Sequence, residues 1–381
     1  MNIQQTVIRH WPADQEFLIP LAQINPQLLL VFGSPTLFAG ENLADELARR
    51  FPRAARLGCS TAGEIAGSVV ENGSLVVTAL NFARTILKPA NTKLAGMEDS
   101  HAAGERLGDQ LAGPGLNAVL VFGQGVNING SALVDGMASR LPAGLAISGG
   151  LAGDDGAFRQ TWVLDDEGIF TDNISAVGFY GEHIRFSHGC GGGWQAFGPL
   201  RKVTRSAGNV LYELDGEPAL VVYKRYLGDY AKDLPASGLL FPFEMISEEK
   251  ESVGLIRTIL GVDEALGSLI LAGEIDPTGF LRLMHAHTDR LVDGAEEAVC
   301  ATIDSHKEHH GNGMALLVSC VGRKLVMGGR IDEEVEAVAR VLGPQQIIAG
   351  FYSYGEISPA LSGVGCKLHN QTMTITYIEE T

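Results

Sequence analysis

The sequence predicts an α/β fold: two related α/β domains built from repeated strand–helix–strand units, with added antiparallel β elements. Three observations carry that prediction. Short apolar runs of strand length recur. Helix-period segments follow them, and the whole unit returns at three places in the chain. In the first copy, "LLLVFG" (28–33) reads as a buried strand and "SPTLFAG" as a loop. "ENLADELARRF" reads as a helix with Leu43, Leu47 and Phe51 on one face, and "AARLGCSTAGEI" as a second strand ending in a glycine-rich turn.

The second copy lies 90 residues on. "NAVLVFG" (117–123) matches the strand, "GSALVDGMASRL" (130–141) the helix, and "LAISGGLAGDD" (145–155) the second strand and turn. Gly33 matches Gly123, Gly63 matches Gly153 and Glu64 matches Asp154, with Cys59 and Ser60 opposite Gly149 and Gly150. The third copy runs from "MALLVSC" (314–320) through the helix "IDEEVEAVARVLG" (331–343), after a longer crossover, to "QQIIAGFYSYGEI" (345–357). There Phe351 and Tyr352 stand opposite Cys59 and Ser60, and Gly355-Glu356-Ile357 repeats Gly63-Glu64-Ile65. Such units form right-handed parallel crossovers, and each turn falls at the C-terminal edge of a strand, where open α/β sheets bind ligands.

Between the copies the pattern changes. Residues 174–226 alternate polar and apolar in short strands, and "EPALVVYKRYL" reads as a helix with proline at its start. The change sets a boundary near residue 205, giving domains 1–205 and 206–381. Residues 268–286 read as two strands joined in a hairpin by "DPTG", and "DGAEEAVCATIDSHKEHHG" as a helix closed by Gly311.

Composition narrows the function. The 381 residues carry a net charge of −17, which opposes binding to nucleic acid. Neither a signal segment nor an apolar run of membrane length is present, and five scattered cysteines without a CxxC pair fit a reduced, cytoplasmic setting. Glycine is abundant at 48 residues, so many backbone positions need tight turns or close approach.

The turns argue for binding, not catalysis. Around Ser60 the spacing is G-x-S-x-x-G, which is not a nucleophile elbow, and no G-K-[ST] completes a phosphate loop. Cys59 and Ser60 are not kept across the copies, so the protein is expected not to be an enzyme. Glu64 and Glu356 stand at equivalent positions and read either as paired carboxylates for acid–base chemistry or, the favoured reading, as acceptors for loop N–H groups or as helix caps. Gly63, Glu64, Gly153, Tyr352, Tyr354 and Glu356 form the expected ligand-binding set. His306 and His310 are spaced i, i+4 in a polar helix end beside His309, a weak metal pair, and His285 and His287 share a strand face. In "FSHGCGGGWQAFGP" (186–199), His188 stands among glycines with Phe186, Trp194 and Phe197 nearby. It reads either as an axial haem ligand, with Gly191, Gly192 and Trp194 around the cofactor, or as a locally hydrogen-bonded residue beside a tryptophan that plugs the core.

"GCSTAGEI" with "ISGGLAGDD" resembles the N-terminal FIST domain. "VTRSAGNVLYELDGEPAL" resembles its join to the C-terminal FIST domain, and "IIAGFYSYGEISP" that domain's closing signature. The resemblance spans nearly the whole chain and implies a sensory domain for small ligands. "SHGCGGGWQAFGP" looks closer to the bacterial nitric-oxide-sensing haemoproteins called NosP than to FIST members with GC-x-P-x-G there. That likeness implies a histidine-bound haem, His188 first, with His183, His285 and His287 open. It also implies that nitric oxide is reported by contact to a histidine kinase or a cyclic-di-GMP enzyme. The alternative is a haem-free sensor of a small molecule such as an amino acid, held by Glu356 and backbone N–H groups.

Overall fold

The computed structural model describes residues 1–40, 42–304, 313–359 and 365–381. It is an α/β structure with three six-stranded sheets and a fourth sheet of nine strands. The three six-stranded sheets are the three copies of the repeat, each laid out in one order. An outer strand (Asn2–Ile8, Ile86–Lys93, Ile184–Gly191) pairs antiparallel with the last strand of its copy (Leu75–Asn81, Asn173–Tyr180, Met373–Glu380). That strand pairs antiparallel with the first repeat strand (Leu28–Gly33, Leu116–Gly123, Met314–Cys320). The first repeat strand then pairs in parallel with the second (Ala55–Ser60, Ala146–Leu151, Ile347–Ser353).

The far edge of each second strand is covered by a hairpin from a different copy. The first copy's hairpin (Glu64–Ala66, Val69–Glu71) pairs with Ile347–Ser353, and the second's (Val163–Leu164, Ile169–Phe170) with Ala55–Ser60. The third's (Gly355–Pro359, Cys366–His369) pairs with Ala146–Leu151. The exchange runs in a closed cycle and, among the described residues, leaves no parallel strand with an open edge.

The apolar runs follow from this layout, because strands buried on both faces need apolar residues at successive positions. Inner faces of the three sheets meet in one core. Phe32, Phe122 and Phe351, one from each sheet, pack there with ring centroids 5.3, 4.8 and 5.5 Å apart. Outer faces carry helices. Leu43 and Leu47 of helix Leu43–Arg50 cover Leu29 and Val31. Leu107 of Ser100–Leu111 and Met137 of Gly130–Arg140 belong to the cluster over Val119 and Val121. Ala298 of Thr288–Asp304 and Val338 of Asp332–Leu342 do the same over Ala315 and Leu317.

The fourth sheet is an insertion. It occupies residues 195–285, between strand Ile184–Gly191 and helix Thr288–Asp304. Its entering strand Gln195–Ala196 pairs with its leaving strand Phe280–His285, so the two chain crossings lie side by side. Helix Ala219–Leu227 and its own core, including Leu211, Tyr223, Phe243 and Leu283, hold it together. Residue 205 falls inside strand Arg201–Ala207 of this unit.

Several local expectations change. Residues 268–286 do contain two strands, Ser268–Leu271 and Phe280–His285, but they are not a hairpin. Each pairs with other strands of the sheet, and two strands lie between them. The expected loop after residue 33 includes a single helical turn, Pro35–Phe38. Gly33 lies opposite Ser60 and Gly123 opposite Leu151, so in space Ser60 matches Leu151 and not Gly150. Helix Thr288–Asp304 begins earlier than its sequence pattern, while His306, His309, His310 and Gly311 lie outside the described residues. Among the described residues no helix is long and apolar enough to cross a membrane.

Each second strand carries a glycine pressed against its parallel neighbour. A Cβ on Gly58 would lie 2.0 Å from Val31 O, on Gly149 1.9 Å from Val121 O, and on Gly350 1.9 Å from Leu317 O. A backbone carbonyl cannot swing aside as a side chain can. Gly350→Ala is therefore expected to destabilise the fold by about 1–3 kcal/mol or more. Urea denaturation checks it, and an unchanged midpoint would contradict the close approach.

Candidate functional site

The three glycine-rich turns converge and bond to one another. Tyr352 N donates to Gly63 O at 2.8 Å, and Ala62 N donates to Tyr352 O at 2.8 Å. Gly153 N reaches Ser60 O at 2.9 Å, Asp155 N reaches Thr61 O at 3.2 Å, and Tyr354 N reaches Leu151 O at 3.1 Å. Gly63 takes φ +141°, a value that an L side chain rarely adopts. Ser60 Oγ donates to Gly153 O at 2.7 Å and accepts from Trp162 N at 2.9 Å, so its hydroxyl braces the junction. Cys59 is fully buried, and burial raises its thiol pKa far above the usual range. Neither residue has the surroundings of a nucleophile.

The acids of the first and third turns serve one structural purpose. Glu64 accepts from Thr61 Oγ1 at 2.5 Å and from Ser74 N and Oγ at 3.0 Å each. Glu356 accepts from Ser353 Oγ at 2.7 Å and from Thr372 N and Oγ1 at 3.2 and 2.9 Å. Each carboxyl ties its turn to the start of the copy's last strand. Burial pushes Glu356 up to about 8, against the pull of those donors and of Arg323. Burial raises Glu64 as well. With its oxygens so engaged, Glu356 does not present a clamp for an amino acid.

Tyr352 is fully buried and donates to Glu334 Oε1 at 2.5 Å. Glu334 pairs with Arg323 at 2.7 Å, both fully buried, and Arg323 also donates to Gly192 O at 2.5 Å and Leu291 O at 2.7 Å. Asp154 has another task than Glu64. It accepts from Phe158 N, Arg159 N and Gln160 N at 2.7, 2.7 and 2.9 Å, and from the Tyr354 hydroxyl.

The residues around His188 do not fit a haem. The glycine run is covered by helix Thr288–Asp304: a Cβ on Gly189, Gly191 or Gly193 would lie 1.8–1.9 Å from a carbonyl of Ala298, Gly294 or Arg290. The close approach that the glycines permit is to a helix backbone, not to a flat cofactor. Trp194 donates through Nε1 to Gln371 O at 2.7 Å. His188 Nδ1 lies 3.2 Å from Ser148 Oγ and 3.4 Å from Thr376 Oγ1. Although the residue as a whole is half-buried, Nε2 is enclosed and meets no hydrogen-bonding partner. Of the other histidines, His183 is exposed near Arg84, and His285 packs edge-on to Phe197. No three His, Cys, Asp or Glu side chains among the described residues are arranged to hold a metal ion.

A cleft of about 700 Å³ opens where the second turn leaves the junction. Its walls come from three parts of the chain: Gly156–Phe158 after the second turn, Leu325 on helix Val321–Met327, and Tyr230, Leu240 and Leu260 of the inserted unit. Tyr230, Leu260 and Leu325 are 53%, 45% and 49% exposed, a costly state for apolar side chains unless something covers them. Phe158 stacks on Tyr354 with centroids 4.1 Å apart. Tyr354 in turn lines a smaller cavity of about 90 Å³ with Leu260 and Leu271. Of the expected ligand set, only Tyr354 thus lines one of these two spaces. Phe158, Tyr230, Leu260 and Leu325 were not legible as site residues, since each belongs to a different local pattern. The one available signal was Phe158, a large apolar residue in a polar loop.

Family models match nearly all of this architecture. The FIST N domain matches residues 27–217 and the FIST C domain residues 219–359, so the chain belongs to the FIST family of small-ligand sensory domains. The two models meet inside the inserted unit. An uncharacterized protein of Methanocaldococcus jannaschii is 33% identical over 88 residues, 23% of this chain and 17% of that protein. The chain thus spans about a sixth of that relative's length. The crystal structure of cyanuric acid hydrolase from A. caulinodans aligns over 99% of both chains, at 9% identity and a TM-score of 0.40.

Two measurements follow. Protein produced with haem precursor is expected to show no Soret band, and a stoichiometric band sensitive to His188→Ala would overturn the closed packing. Burial lowers His188 and His369 to about 4, below the usual 6.5. The stability they permit is present above pH 6.5 and lost as pH falls toward 4, because the unfolded chain takes up protons that the folded one refuses. His369→Asn should accordingly lose less stability than wild type between pH 6.5 and 4.5, read from denaturant midpoints.

Proposed function

We propose that this FIST-family chain is a sensor, not an enzyme, which holds a small, mainly apolar ligand in the cleft between the repeat core and the inserted unit. The observation that carries this reading is the convergence of Tyr230, Leu260 and Leu325 on one 700 Å³ space. Their apolar surface is half open to water, and a bound molecule would cover all three at once.

The helix behind the cleft supplies a route for the signal. Three successive residues of Val321–Met327 face three different structures. Leu325 lines the cleft. Lys324 Nζ donates to Ala62 O and Asn72 Oδ1, each at 2.6 Å, and lies 3.6 Å from Asp155. Arg323 holds Gly192 O, at the root of the inserted unit. A ligand that presses on Leu325 therefore acts on a rigid helix tied to the first turn, the second turn and the insertion. In this reading the inserted unit shifts against the core and changes the surface offered to a partner protein. The partners implied by the resemblance, a histidine kinase or a cyclic-di-GMP enzyme, would read that surface. The ligand must bind the two arrangements with different affinity for any signal to result.

A neutral apolar dye tests the site without knowledge of the natural ligand. Nile red is expected to bind with a blue-shifted emission. Leu325→Asp should weaken it tenfold or more, since covering one such side chain contributes about 1.5–3 kcal/mol. Leu266→Asp, at a residue 60% exposed away from the cleft, should change nothing. Equal effects of the two substitutions would remove the cleft from consideration.

A further inference from the structure

We infer that the ligand of this cleft is a flat aromatic molecule carrying a positively charged nitrogen, with Phe158 and Tyr230 as its aromatic contacts and Asp233 as its counter-ion. The inference rests on the proposed cleft and names the chemistry that the cleft selects.

The aromatic part comes from Phe158. Its backbone has φ +52°, in the left-handed region, and Asp155 three residues earlier has φ +57°. A bulky side chain avoids that conformation, so the surrounding contacts must hold it there. They are present: Phe158 N donates to Asp154 Oδ1 at 2.7 Å, and Gly156 N donates to the Tyr354 hydroxyl oxygen at 3.0 Å. One face of the Phe158 ring is stacked on Tyr354, with centroids 4.1 Å apart and planes 14° apart. Phe158 also lines the cleft. The strained loop thus backs the ring with a second ring and offers it to whatever enters. Tyr230, 53% exposed, supplies aromatic surface from the inserted unit. Flat rings stack on such surfaces better than saturated rings of similar size.

The charge comes from what lines the cleft and what does not. Asp233 lines it, and its carboxylate makes no hydrogen bond or ion pair with the described residues. Among the described residues no lysine, arginine or histidine lines it. Two neighbouring lysines are engaged elsewhere: Lys232 pairs with Asp229 at 2.8 Å, and Lys324 holds Ala62 O and Asn72 Oδ1. Asp155, beside Gly156, does not line the cleft, and its carboxylate is paired with Lys324 at 3.6 Å. The whole chain, at −17, repels anions further. A carboxylate ligand would meet the Asp233 carboxylate in the cleft wall, whereas an ammonium group would meet that carboxylate as a partner, together with two aromatic rings, both favourable to cations.

Four probes separate the parts of this inference: tryptamine, indole, indole-3-acetate and 2-cyclohexylethylamine, each titrated against bound Nile red on the full chain. Tryptamine is expected to bind about three- to tenfold more tightly than indole, as a partly shielded ion pair allows, and indole-3-acetate more weakly than either. Asp233→Asn should erase the preference for tryptamine over indole and leave indole unchanged. Asp233 is exposed, so that variant is expected to fold. Phe158→Leu should weaken tryptamine about two- to tenfold and leave 2-cyclohexylethylamine unaffected. Indole-3-acetate binding as tightly as tryptamine, or cyclohexylethylamine matching it, overturns the inference even where Nile red still depends on Leu325. If Nile red itself ignores Leu325→Asp, the cleft reading fails first, and this inference with it.

Discussion

The cyclic exchange of hairpins is the constraint from which the rest of the structure follows. Each parallel pair has one edge that its own copy cannot cover, and the hairpin of another copy covers it. Because the cycle is closed, the strand ends are drawn to a common junction and the three turns must pack on one another. That packing explains why the turns are rich in glycine and why their acids are turned inward. Glu64 and Glu356, both buried, fix turns to strands. The second turn differs because Asp154 holds a longer excursion, residues 155–160, which leaves the junction and reaches the inserted unit. The cleft exists because of that difference.

Much of the repeat was legible in the sequence, for a physical reason. A strand buried on both faces must be apolar throughout, so "LLLVFG", "AVLVFG" and "ALLV" announce themselves. The helices between them have an equally local signature. Hairpin exchange has none. Residues 64–71 look like a hairpin whichever sheet they join, and only the three-dimensional closure decides that they pair with Ile347–Ser353. The "DPTG" stretch misled for the same reason: turn chemistry was present, as Thr278 N donating to Asp276 Oδ1 shows, but the strands on either side had other partners.

The glycine run near His188 illustrates how a true signal can be assigned to the wrong neighbour. Consecutive glycines do report a close approach. They do not report what approaches. The partner was readable in Gly294 and Ala298, two small residues four apart on a helix, which form the matching surface. The cleft residues were harder still. Tyr230, Leu260 and Leu325 come from a 3₁₀ turn, a strand and a helix, and no sequence period relates them. A sensing site made between units is invisible to any reading that treats the units one at a time.

The inserted unit joins the core through two adjacent crossings, Gln195–Ala196 against Met284–His285. Such a root has an evolutionary meaning. Residues 195–285 can lengthen, shorten or be exchanged without altering the order of strands in the cycle, because entry and exit stay in one place. The core would then be the inherited part, kept intact by the need for closure. The insertion, which supplies most of the cleft's wall, would be free to diversify, and a single scaffold could answer to many different molecules.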